Sequence, residues 1–148
     1  MSSAERGHPP LHILLLQDDE ADIERLEHAF AELPGDVELH LARTGAEADA
    51  ALARDLRINL VLLADSLSGR ASLPWLSSLK TGTDLSLRRL PVVMFSGEGT
   101  EAQIRGAYHA YASAYLIRPG DLAGLSAMVR ALVKFWGQVA RLPSRIRA

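Results

Sequence analysis

Leu60-Val61-Leu62-Leu63-Ala64-Asp65-Ser66-Leu67 is an apolar run without alternation that breaks abruptly into small and polar residues. A strand that alternates hides one face, whereas one that is apolar at every position hides both, which marks a central parallel strand covered by helices on each side. In open α/β sheets the chemistry lies just beyond the carboxyl ends of such strands, so Ala64 and the residues after it are predicted to floor a site.

Working upstream, residues 11–16 carry the same signature and run into Gln17-Asp18-Asp19, giving a first buried strand with an acidic tip. From Asp19 the apolar residues fall at Ile23, Leu26, Phe30 and Leu33, a helical spacing stopped by Pro34-Gly35. Residues 37–42 alternate, with Val37, Leu39 and Leu41 on one face, as an edge strand would, and Thr44 is placed to cap a helix ending near Arg54. Downstream, residues 66–72 read as a loop with Gly69, and Pro74 suits the first turn of a helix leading into Trp75, Leu76 and Leu79. Residues 81–90 are a polar connection. Residues 91–95 form a fourth strand tipped by Ser96-Gly97-Glu98-Gly99, followed by a helix over 100–110, a fifth strand over 114–117, Arg118-Pro119, and a last helix over 122–142. Five strands alternating with five helices predict a doubly wound α/β fold around a five-stranded parallel sheet.

Composition agrees. A chain of 148 residues, 48% hydrophobic and 23% charged, is one soluble domain, over residues 11–142, between short tails at 1–10 and 143–148. A net charge of -2 argues against a nucleic-acid binder, and the absence of cysteine excludes disulfides and thiolate chemistry and agrees with a cytoplasmic setting. No apolar run is long enough for a membrane span, and the opening residues do not form a signal peptide.

The acidic tip, the apolar central strand, a fourth strand ending in a hydroxyl and a fifth ending in Arg118-Pro119 together resemble the CheY-like receiver domain of two-component response regulators. Phe135-Trp136 and Arg141-Leu142-Pro143 further resemble the small single-domain regulators that partner bacterial phytochrome-type histidine kinases. The resemblance implies strand order 2-1-3-4-5 and a site at the ends of strands one, three, four and five. In that family two acids and an acceptor Asp hold Mg²⁺, a hydroxyl and a Lys contact the phosphoryl group, and the acceptor carboxylate attacks phosphorus. Matched one by one, the acidic pair falls on Gln17 and Asp18 and the acceptor on Ala64. Asn59 stands where the family often has Asp, Ser96 keeps the hydroxyl, Tyr115 keeps the aromatic switch position, and Arg118 replaces the Lys. Tyr111 stands where the fourth helix usually ends in Gly, so that cap must differ or be strained.

The expected site is therefore vestigial: Gln17, Asp18, Asp19, Ala64, Ser96 and Arg118, with Ser96 and Tyr115 as an idle switch pair. Its usual double negative charge falls to neutrality when only Asp18 and Arg118 remain, so Mg²⁺ should bind weakly or not at all and no cofactor is expected. Arg118 is expected to fork onto Asp18 or Asp19, presented by a cis bond before Pro119. Two alternatives stay open. Asp18-Asp19 is the acidic pair if the first strand shifts by one, and a one-residue bulge would bring Asp65 to the acceptor position, although alternation turns it away from where Ala64 points. His8, His12, His28, His40 and His109 show no metal-ligand spacing. Lys134, Arg141, Arg145 and Arg147 read as dipole compensation and a solvated tail.

The function implied is a pseudo-receiver, a bacterial phosphorelay protein that is not an enzyme and acts through contacts with a histidine kinase or another signalling protein, without nucleic acid or membrane. The competing readings are a working phosphoacceptor on Asp65 and a flavodoxin-like module binding flavin or nucleotide at Gly97-Glu98-Gly99. The last is disfavoured by the acidic first loop, which repels phosphate. Leu122, Leu125, Val129, Leu132, Trp136 and Val139 form one stripe on the last helix, about 27 Å long against about 17 Å for a strand. The overhang should leave Phe135, Trp136, Val139 and Leu142 in water and pair two chains as a homodimer anchored on Trp136, unless the stripe folds back onto the domain itself.

Overall fold

The computed structural model describes residues 10–35 and 37–146. Residues 1–9 of the tail expected over 1–10, His8 among them, and Arg147 lie outside them.

The sheet contains β1 (Leu11–Leu16), β2 (Val37–Ala42), β3 (Leu60–Ala64), β4 (Val92–Ser96) and β5 (Ala114–Ile117), all parallel, in the order 2-1-3-4-5. The helices between them are α1 (Glu20–Ala31), α2 (Gly45–Arg54), α3 (Leu73–Thr81), α4 (Glu101–His109) and α5 (Leu122–Lys134). β1 and β3 are buried at every position, as strands covered on both faces require, and in β1 this includes His12. Alternate residues feed two separate cores. Leu14, Leu16, Val61, Leu63 and Met94 pack with α2, α3 and α4, while Ile13, Leu15, Leu60, Leu62 and Phe95 pack with α1 and α5.

Local chemistry sets the helix ends. Asp19 caps α1 by accepting from Asp22 N, Thr44 caps α2 by accepting from Glu47 N, and Thr100 with Gln103 closes a capping box on α4. Past α4, Tyr111 takes a left-handed φ of 71°, with Tyr111 N donating to Tyr108 O and Ala112 N to Ala107 O. This is a Schellman closure with tyrosine where glycine is usual, a strain of roughly 1 kcal/mol.

The structure departs from the expected outline in five places. Residues 66–72 are not an open loop: Ser66–Leu67 and Arg70–Ala71 pair as an antiparallel hairpin turned by Ser68 and Gly69, at φ 53° and 74°. Within the polar connection, Leu85–Arg88 makes one helical turn capped by Asp84. On β2, Val37 and Leu39 pack inward but Leu41 is exposed. The last helix stops being α-helical at Lys134 and finishes as a π-helical turn, Phe135–Val139, closed by Ala140 N to Phe135 O at 2.7 Å. The wider turn carries Trp136 and Leu142 onto the α1/α5 core and lays Gly137 beside Leu11, leaving only Phe135 and Val139 of the expected patch exposed.

The fifth departure is the tail. Arg145 is not solvated but 6% exposed, with Nη2 donating to Leu52 O at 2.5 Å and Nη1 to Ile58 O and Asp55 O at 3.2 and 3.3 Å. The histidines are not all scattered either. The β1–β2 register sets His12 opposite Glu38 and brings His12 Nδ1 within 3.2 Å of His40 Nε2.

Candidate functional site

The carboxyl ends of β1, β3, β4 and β5 converge where the sequence placed a site, and each residue there already has a local partner. Gln17 is buried, and its Oε1 accepts from Asp19 N at 3.1 Å. The Oδ2 of Asp18 accepts from Ser68 N at 2.5 Å, so this carboxylate is tied to the hairpin after β3. Asp19 is spent as the α1 cap, accepting from Asp22 N at 3.0 Å. Ala64 ends β3 with a buried methyl group, and its carbonyl accepts from Ser72 Oγ.

Asp65 is the residue that alternation handled incompletely. Its amide donates to Phe95 O at 3.2 Å, which prolongs the β3–β4 ladder by one step beyond the Ala64–Phe95 pair. Asp65 therefore does lie on the face opposite Ala64, but that face is the one Ser96 occupies. Ser96 Oγ donates to Asp65 Oδ2 at 3.0 Å and also lies against Glu98 O. Tyr115 packs on the α3/α4-side core against Gly99, where a Cβ would come within 2.8 Å of its ring.

Arg118 corrects two expectations. No peptide bond among the described residues is cis, so the bond before Pro119 is trans. The guanidinium reaches neither Asp18 nor Asp19 but donates from Nη1 to Asp22 Oδ2 at 2.6 Å. The reason is availability: Asp18 and Asp19 are held by backbone amides, whereas Asp22 sits in the first turn of α1 with its side chain 8% exposed and otherwise only Arg25, 3.8 Å away, to balance it. The route to Asp22 passes over Gly97, where a Cβ would lie 2.8 Å from Arg118 Nη2, so a side chain there would displace the arginine. Sequence reading missed Asp22, although a signal existed. It lies four residues before Leu26 and eight before Phe30, on the buried stripe of α1, where a charge needs a partner.

The donors do not suit a hard dication. Gln17 offers a neutral amide already in use, Ala64 offers nothing, and Asp18 is engaged by Ser68. Among the described residues, no three Asp, Glu or His ligand atoms converge at this end of the sheet.

No family profile matches the chain. It is 29% identical over 147 residues to Response regulator Rcp1 of Synechocystis sp., the match covering 95% of this chain and 99% of that protein. Among solved structures, the phosphorylated cyanobacterial phytochrome response regulator RcpA is 30% identical with a TM-score of 0.81, over 91% of this chain and 99% of that one. The Mn²⁺-bound form of Rcp1 superimposes with a TM-score of 0.80 at 29% identity, over 91% of this chain and 100% of that one. A response regulator in red light signalling of R. palustris, RPA3017, shares the fold at 23% identity and a TM-score of 0.80, over 90% of this chain and 99% of that one.

Proposed function

The chain belongs to the receiver-domain response regulators of the cyanobacterial phytochrome type, and from that premise we propose that it serves two-component signalling as a pseudo-receiver that does not accept phosphate. The observation that carries this is Ala64: a methyl group ends β3 where the family keeps its nucleophilic carboxylate, and methyl carbon cannot attack phosphorus. The surrounding contacts support it. Asp18 is tied to Ser68 and Arg118 to Asp22, so the acid that would hold Mg²⁺ and the cation that would meet a phosphoryl oxygen are both committed elsewhere. On this reading the protein needs no metal, is not an enzyme, and works in the cytoplasm through contacts with a histidine kinase or another signalling protein. Asp65 takes over part of the missing group's task, since its carboxylate accepts the Ser96 hydroxyl as a phosphoryl oxygen would and holds the switch residue in one position.

The same contact favours a second reading, in which Asp65 is itself the acceptor. Intact mass after incubation with acetyl phosphate and Mg²⁺ separates the two. The wild-type mass should stay unchanged. A gain of one phosphoryl group that Asp65→Asn abolishes would establish the second reading instead.

We further propose that two copies pair through the π-helical end of α5. Phe135 and Val139 are 49% and 64% exposed, side by side beyond the last α-helical turn, and a second copy of the same patch would cover them. Trp136, expected as the anchor, is partly packed on its own core and braces the Phe135 ring edge-on at 5.1 Å between centroids, so on this reading it supports the patch from behind while Phe135 and Val139 make its exposed surface. Light scattering should give twice the 16.1 kDa chain mass, with Phe135→Ser plus Val139→Ser falling to one chain. A wild type that runs as a single chain would refute the pairing.

A further inference from the structure

At the opposite end of β1 from Asp18, about 20 Å away along the strand, three ligand-type side chains meet. His12 on β1 pairs in register with Glu38 on β2, and His40 follows two residues later on the same face. His12 Nδ1 lies 3.2 Å from His40 Nε2 and 3.4 Å from Glu38 Oε2, and His40 Nε2 lies 3.9 Å from Glu38 Oε1. A tetrahedral Zn²⁺ with bonds of ~2.0–2.2 Å sets its ligand atoms roughly 3.3–3.5 Å apart; the two imidazole nitrogens already stand near that spacing, and Glu38 faces them with one carboxylate oxygen toward each, so a small turn of this exposed side chain brings one oxygen to the third vertex.

We propose that His12, Glu38 and His40 form a binding site for a divalent transition-metal ion of the zinc class, closed on the fourth side by water. The donor set favours such an ion, because two imidazoles and one carboxylate suit zinc, cobalt and nickel, whereas Mg²⁺ and Ca²⁺ prefer all-oxygen shells. His12 is held in place: it is 7% exposed, and Asn59 Oδ1 accepts from its backbone amide at 2.9 Å. Other charges that act on it are Arg57, which repels a cation, and Asp55, which attracts one. They cancel each other through two guanidinium–carboxylate bonds of 2.9 and 2.8 Å. Glu38 is half exposed, which leaves a path for the ion and room for the water. Without an ion the two imidazoles must share one proton between Nδ1 and Nε2; with one, both nitrogens turn lone pairs to the metal. The bound ion would clip the edge strand β2 to β1, well away from the vestigial phosphorylation site.

The test uses the full chain, freed of metal by chelation and titrated with Co²⁺ and then Zn²⁺. One equivalent of Co²⁺ should raise the intense visible bands of a tetrahedral site, and Zn²⁺ should displace it. His40→Ala and Glu38→Gln, both on the outer strand, should each weaken binding at least about tenfold. The exposed pair His28 and Glu32, 2.8 Å apart on α1, is the competing surface site and is removed by His28→Ala. Binding that survives both β2 substitutions, binding abolished by His28→Ala, or no saturable binding at micromolar metal would each overturn the proposal. Should either β2 variant fail to fold, NMR of the wild type decides. The His12 and His40 ring resonances must shift together at one equivalent of Zn²⁺, while those of His28 and His109 stay in place; any other pattern refutes the site.

Discussion

Gln17→Glu, Ala64→Asp and Arg118→Lys introduced together should give a chain that takes up a phosphoryl group from acetyl phosphate when Mg²⁺ is present and not when EDTA replaces it, where the wild type is expected to take up none. The three substitutions restore a second acid at the tip of β1, the nucleophile at the end of β3, and a flexible point charge free to leave Asp22. Ala64→Asp alone should fall short by about 10²–10³ in rate, because the dication and positioned cation that stabilise charge in the transition state remain absent. Intact-mass time courses on the single and triple variants read this directly. A triple variant that melts like the wild type yet stays unlabelled would show that the Asp18–Ser68 tether, left in place, is enough to keep the metal out.

Arg145→Ala should cost about 1.5–3 kcal/mol, the usual range for hydrogen bonds made by a charged group. The buried guanidinium crosses from residue 145 to the end of α2 and the segment after it, where it donates to the Leu52, Asp55 and Ile58 carbonyls. A cation also complements the negative end of that helix. Burial pushes its pKa down, with Asp84 and Asp55 opposing, and Nε makes no hydrogen bond, so the arrangement already carries a desolvation cost. At ~2–4 °C per kcal/mol for a domain of this size, the melting temperature should drop about 3–12 °C. Arg145→Met keeps the packed stem and should lose nearly as much, because the bonds and not the stem carry the effect. An unchanged melting curve for Arg145→Ala would mean that the tail does not hold α2.

What could be read in advance was whatever depends on neighbours in sequence. Apolar runs gave β1 and β3, and Thr44 and Pro74 gave the starts of α2 and α3. Even the tyrosine at the end of α4 was legible as a misfit, because a cap glycine is a local requirement. What escaped depends on which distant groups meet. Asp22 and Arg118 are joined across 96 positions, Arg145 and Leu52 across 93, and His12 and His40 become neighbours only once β1 and β2 share a register. Asp65 fell between the two kinds. Alternation gave its face correctly, but the prolonged ladder beside Phe95 decided that the same face holds Ser96. The overhanging stripe of the last helix failed for a related reason: a π turn adds a residue to the repeat, so a period read as 3.6 drifts off the core after Lys134.

The Arg118–Asp22 pair also shapes how molecules approach this end of the sheet. Pairing with a mostly buried carboxylate removes the arginine from the outward field, while Asp18, Asp19, Asp65 and Glu98 stay at the strand tips without a cationic partner of their own among the described residues. A small dianion diffusing in from solvent is then slowed by repulsion before it can test any side chain, and the barrier eases as salt screens it over ~10 Å. A basic protein surface meets the opposite field and is drawn in faster than diffusion alone would bring it. On the pseudo-receiver reading, the same field that would slow a phosphodonor would, in kinetic terms, favour the landing of a positively charged partner.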